Sequence, residues 1–206
     1  MKKLFEILMA SYCWAALVVQ YLIILTPEKL EQPGLVMHSV NFFLFMTVIS
    51  NILVAITMTA IVLPKGNRLT LFFKRPQTQS AVLVYITIVF AGYHFLLADL
   101  FHHQGLNYWV DMSLHYFIPL LYAVYWLFLC SKTELHFRMI GRWLIFPSVY
   151  LVFSMLRGTI DGYYPYPFLN YEKVGASVFV VSLSFLVFGY VLCSALVIFV
   201  NGFRRP

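Results

Sequence analysis

Charge is scarce in this chain. Only 11% of its 206 residues are Asp, Glu, Lys or Arg, under half the share of a soluble domain, so most of it cannot face water. Cysteine is scarce too. Cys13, Cys130 and Cys193 all fall inside apolar runs, which excludes a secreted-type disulfide framework and leaves core packing as their simplest role. There is no low-complexity tract, Pro/Ser-rich linker or internal repeat. The matched, interrupted helices of an inverted-repeat transporter are missing as well. No H-x-x-x-H or C-x-x-C spacing occurs, so neither a metal site nor a haem or other cofactor is called for. His94, Asp99, His102 and His103 form the one cluster that raises the question, and adjacent residues such as His102 and His103 rarely face one ion together.

Long apolar runs are what the chain does have. Apolar residues make up 62% of it and gather into runs of about twenty, the number that crosses a ~30 Å hydrocarbon core at ~1.5 Å rise per residue. Six runs, near 5–25, 37–63, 79–101, 110–130, 140–157 and 175–200, predict an all-α polytopic membrane protein, one six-helix bundle spanning 1–206. The first follows Lys2 and Lys3 as a signal peptide would. It is longer than a signal's apolar region, and no A-x-A site precedes Pro27, so it is expected to be retained.

Basic residues set the orientation. Lys2, Lys3, Lys65, Arg68, Lys74, Arg75, Lys132, Arg138, Arg142, Arg204 and Arg205 fall on one side, against Lys29, Arg157 and Lys173 on the other, eleven to three. Both termini are therefore expected in the cytoplasm. The net charge of +6 follows from topology and lipid headgroups, and nucleic acid is not needed as a partner. The outer connections, 26–36, 102–109 and 158–174, carry turn residues including Pro27, Pro33, Gly105, Gly162, Pro165 and Pro167.

Polar residues inside apolar helices are the functional candidates. On straight helices Thr47 lies about 10–15 Å below the outer boundary, with His94 and His115 about 10 Å down. Thr47, Ser50 and Asn51 share a face of the second span, and Asp111 and His115 share a face of the fourth. Each has a plainer role. Thr hydroxyls bond back to the carbonyl one turn earlier, Asn joins packed helices, and Asp111 and Arg157 lie near the surface, where snorkelling or ion pairing is common. Arg157, near Asp161, is suited to binding a carboxylate or phosphate. The run Tyr163-Tyr164-Pro165-Tyr166-Pro167-Phe168 is an interfacial belt or a cap over a lipid-sized cavity.

The segments F-M-T-V-I-S-N-I-L-V (45–54), L-H-Y-F-I-P-L-L (114–121) and L-R-G-T-I-D-G-Y-Y-P-Y-P-F-L-N (156–170) resemble the bacterial Pr-six-Pr integral membrane proteins. These are distantly similar to the androgen-induced membrane hydrolases of animals, six-helix threonine hydrolases that cleave fatty acid esters of hydroxy fatty acids. The resemblance implies a bacterial inner-membrane protein with Thr47 as nucleophile and His115 as base. Asn51, Arg157 and the stretch Tyr164, Tyr166 and Phe168 match positions typical of the bacterial group.

The expected chemistry is acyl transfer. His115 takes the Thr47 proton, Thr47 attacks an ester carbonyl, and His115 then serves the leaving alcohol and the hydrolytic water. Asn51 or Ser50 would face the oxyanion and Asp111 would orient His115. Arg157, His94, Tyr164, Tyr166 and Phe168 would contact the lipid ester. The rival reading is a non-enzymatic carrier or binding protein for an amphiphile, and a further one is an assembly subunit. Substrate chain length and oligomeric state are left open.

Overall fold

A computed structural model describes residues 1–26, 34–64, 66–98 and 103–204. The expected features at Pro27, Lys29, Pro33, Lys65, Asp99, His102 and Arg205 lie outside them. The described chain is helical, and it divides into two compact units, Met1–Glu134 and Leu135–Pro206. Among the described residues four helices are long and apolar enough to cross a membrane: Lys2–Ile24, Pro76–Leu97, Met139–Asp161 and Ala176–Phe203.

In the first unit, α1 (Lys2–Ile24) packs along α3 (Met46–Val62), and Trp14 Nε1 donates to Thr59 Oγ1 across them at 2.9 Å. The straight second span expected over 37–63 is instead two helices, α2 (Leu35–Phe42) and α3, bent by 70°. As a bent pair they make a fifth candidate span. Neither Pro nor Gly causes the break. Phe42, Leu44 and Met46 are all buried while Phe43 is exposed. Burial at every second residue needs an extended path, because on a helix residues two apart point to nearly opposite sides. Phe45 takes that path at φ −74°, ψ 126°.

After α4 (Arg68–Lys74), α5 (Pro76–Gly92) begins with Pro at its first position, where no N–H is missed, and ends in a π-helical turn, Tyr93–Leu97. Then α6 (Gly105–Met112), a second π turn (Ser113–Phe117) and α7 (Ile118–Phe128) form one uninterrupted helical stretch. This stretch corresponds to the expected span 110–130 and is not among the helices apolar enough to cross. Asp111, Ser113 and His115 dilute its apolar character.

The core between α3, α5 and α7 holds Val54, Met58, Val84, Ile86, Ile118 and Trp126. It also encloses a polar hub at Gln79. Tyr125 Oη and Cys130 Sγ donate to Gln79 Oε1 at 3.0 Å each, Gln79 Nε2 donates to the Lys74 carbonyl at 2.8 Å, and Tyr122 Oη donates to the Gln79 carbonyl at 3.2 Å. Beside it, Trp126 Nε1 donates to Ser80 Oγ at 2.9 Å.

In the second unit, α8 (Met139–Trp143) leads into α9 (Ile145–Asp161), and a 3-10 turn (Pro167–Leu169) and α10 (Tyr171–Val174) precede α11 (Ala176–Phe203). At the end of α9, Gly162 takes the left-handed conformation (φ 73°) and its N–H bonds the Gly158 carbonyl at 3.0 Å, closing the helix. Gly158 has to be small, because a Cβ there would sit 2.0 Å from the Tyr164 ring.

Candidate functional site

The break before α3 decides what Thr47 can do. Three threonines lie along this helix. Thr57 and Thr59 turn their hydroxyls back to the carbonyls of Leu53 and Ala55, four residues earlier, at 2.6 and 2.8 Å. Thr47 is only the second residue of α3, so the residue four before it, Phe43, lies outside the helix. Its hydroxyl instead meets His115 Nε2 at 3.2 Å. Its place in the first turn also matters, because the N–H groups there have no carbonyl within the helix to bond, and no side chain caps them.

His115 owes its place to Pro119. In the π turn, Ile118 N–H bonds five residues back to the Ser113 carbonyl. The next carbonyl in that pattern, Leu114, would pair with residue 119, and proline has no N–H to give. Asn51 fills the vacancy, donating through Nδ2 to the Leu114 carbonyl at 3.1 Å and to the Thr47 carbonyl at 2.8 Å. The buried Asn51 amide thus ties the residue before the imidazole to the backbone of the hydroxyl residue. With both amide hydrogens on carbonyls, Asn51 has none left for an oxyanion. In this geometry it spaces and positions, and the first-turn N–H groups of α3 are the donors nearest Thr47 in the chain.

Behind His115 stands Asp111. Its Oδ1 and its backbone carbonyl both lie 3.0 Å from His115 Nδ1. Both are acceptors, so in the neutral ring Nδ1 carries the hydrogen and Nε2 presents its lone pair to Thr47. Tyr93, from the π turn ending α5, donates its hydroxyl to Asp111 Oδ2. Its ring also stacks on the imidazole, with centroids 3.8 Å apart and planes 18° from parallel. Tyr93 was not a candidate from sequence; the histidine beside it was.

That histidine, His94, turns to the Tyr116 hydroxyl at 3.2 Å and stacks near Phe90. Ser50 is fully buried, and its hydroxyl has no partner among the described residues. A cavity of about 300 Å³ opens beside the cluster, lined by Tyr93, His103, Gln104, Tyr108, Asp111 and Tyr116 among others. It reaches Asp111 and Tyr93, while Thr47 and His115 are not in its lining.

The remaining candidates belong to the end of α9 and the segment after it. Arg157 Nε donates to Asp161 Oδ2 at 2.7 Å, Asp161 Oδ1 accepts the Tyr163 N–H at 2.9 Å, and the guanidinium lies 5.3 Å from the centre of the Tyr163 ring. Burial pushes the Tyr163 phenol upward, and the nearby guanidinium draws it back part of the way. Tyr166 and Phe168 stack on each other with parallel rings. Arg157, in the last turn of α9, and Tyr164, Tyr166 and Phe168, in the segment after it, all belong to the second unit. Comparison with family models, curated proteins and solved structures returns no match for the chain.

Proposed function

We propose that this protein is a multi-pass membrane hydrolase of lipid esters, with Thr47 as nucleophile and His115 as general base. The 3.2 Å contact between Thr47 Oγ1 and the acceptor nitrogen of His115 carries the proposal. It lies within reach of direct proton transfer. The bent pair α2–α3 and the stretch 105–128 serve as the second and fourth of six spans, and the excess of basic residues on one side puts both termini in the cytoplasm. The similarity of 45–54, 114–121 and 156–170 to the bacterial Pr-six-Pr proteins supports both the activity and a place in the bacterial inner membrane.

In the reaction, Thr47 Oγ1 attacks the ester carbonyl as its proton passes to His115 Nε2. Asp111 stabilises the imidazolium, and the first-turn N–H groups of α3 face the developing oxyanion. His115 protonates the departing alcohol. It then draws a proton from water, which releases the fatty acid from Thr47.

A carrier for small amphiphiles is the second reading. The cavity favours it, since it meets Asp111 and Tyr93 rather than the hydroxyl. Labelling with a lipid-tailed fluorophosphonate separates the two. The hydrolase requires that wild type is labelled, that Thr47→Ser retains part of the signal, and that folded Thr47→Ala and His115→Ala lose it by about a thousandfold or more. Wild type left unlabelled, while a fluorescent fatty alcohol binds all four forms alike, would establish the carrier instead.

A further inference from the structure

A second cavity, of about 450 Å³, lies in the other unit, and its chemistry differs from that of the first. His136, Arg138, Met139 and Arg142 line it. It forms around a tight turn in which Met139 N–H bonds the His136 carbonyl at 2.8 Å and Ile140 N–H bonds that of Phe137 at 3.1 Å. No carboxylate is among these lining residues. Arg138 and Arg142 make no ion pair or hydrogen bond among the described residues. Two guanidiniums four residues apart repel each other. An anion between them removes that cost, and the planar fork of arginine suits phosphate oxygens.

What continues from Arg142 points to the source of the phosphate. Ile145, Val149, Val152 and Leu156 follow it at three- and four-residue spacing, on one face of the helix. Each is 58–63% exposed. From Arg142 to Leu156 the face runs about 21 Å, enough to cover one leaflet of a hydrocarbon core about 15 Å deep per side. A cationic head over an uncovered apolar track matches an anionic phospholipid, with its phosphate between the arginines and an acyl chain along α9.

We infer that Arg138 and Arg142, with His136, form a binding site for the headgroup of an anionic phospholipid. The inference is independent of the chemistry at Thr47. Basic pockets beside membrane helices recognise anionic heads in this way.

The test is native mass spectrometry of the detergent-solubilised full chain, titrated separately with phosphatidylglycerol, phosphatidylcholine and inorganic phosphate. Wild type should retain phosphatidylglycerol. Arg138→Gln/Arg142→Gln should weaken that retention about thirtyfold, each charge contributing roughly a factor of five. Phosphatidylcholine should bind both forms weakly and equally. Arg138→Lys/Arg142→Lys should recover part of the retention, which also excludes simple misfolding. Equal retention of phosphatidylglycerol by wild type and the Gln variant would reduce it to boundary lipid and overturn the site. Complete displacement by millimolar inorganic phosphate would mean a soluble anion is the ligand, and would overturn the lipid assignment.

Discussion

The first unit contains two buried polar clusters, and they are finished to different degrees. At Gln79 the side-chain oxygen, the side-chain nitrogen and the backbone carbonyl are all engaged, with Tyr122 and Tyr125 of α7 and Cys130 just beyond it as donors. Around Thr47 the bonding stops short. The hydroxyl has only an imidazole acceptor, and Asn51 Oδ1 and Ser50 Oγ are buried without partners among the described residues. A cavity touches the carboxylate behind the imidazole. A polar group that holds helices together is worth most when every atom is satisfied, whereas a reactive one needs unused capacity. By that measure Gln79 is a joint, whereas the cluster around Thr47 keeps the unused capacity that the proposed chemistry requires.

Substitutions can break this contrast. After Thr47 and His115 themselves, the largest effect should come from Asp111→Asn, read as kcat of the folded protein. Triads in which the carboxylate alone fixes the tautomer lose about ten-thousandfold. Here the residue 111 carbonyl also holds Nδ1, so the loss should be nearer a hundredfold, with an unchanged melting temperature. A full ten-thousandfold loss would mean that the carbonyl contributes nothing.

Gln79→Leu should do the reverse. It removes three side-chain bonds and should cost about 1–3 kcal/mol in thermal unfolding, with turnover per folded molecule intact. If turnover fell with it, the two clusters would be coupled and the contrast lost. The smallest change is expected from Tyr93→Phe, which keeps the ring against His115 and deletes one bond to Asp111. Its kcat should fall about tenfold, near 1.4 kcal/mol, with KM hardly moved.

The sequence makes the helical class plain, since apolar length is a one-dimensional property. Thr47, His115 and Asp111 are also legible, because polar groups in apolar helices stand out and the i, i+4 step from Asp111 to His115 survives into the structure. Three features were not. The bend at 43–45 has no breaker residue; it arises from alternate burial of Phe42, Leu44 and Met46, a tertiary demand. Tyr93 ends the ordinary buried stripe of Val82, Ile86 and Val89 and so reads as core packing, whereas the histidine next to it stands out in an apolar helix. Asn51 was expected to donate to an oxyanion, but its hydrogens go to carbonyls, one of which is vacant only because Pro119 sits five residues further on.

That last dependence makes the site sensitive to residue count. Between Ser113 and Ile118 the turn is closed over five residues rather than four. Many side chains along it can be exchanged without altering the path of the backbone. Removing or adding one residue turns everything on one side by about 100° relative to the other, parting His115 from Thr47 or Leu114 from Asn51. The segment therefore tolerates changes in composition far better than changes in length, and insertions or deletions in lineages that keep the chemistry should fall before Asp111 or after Pro119.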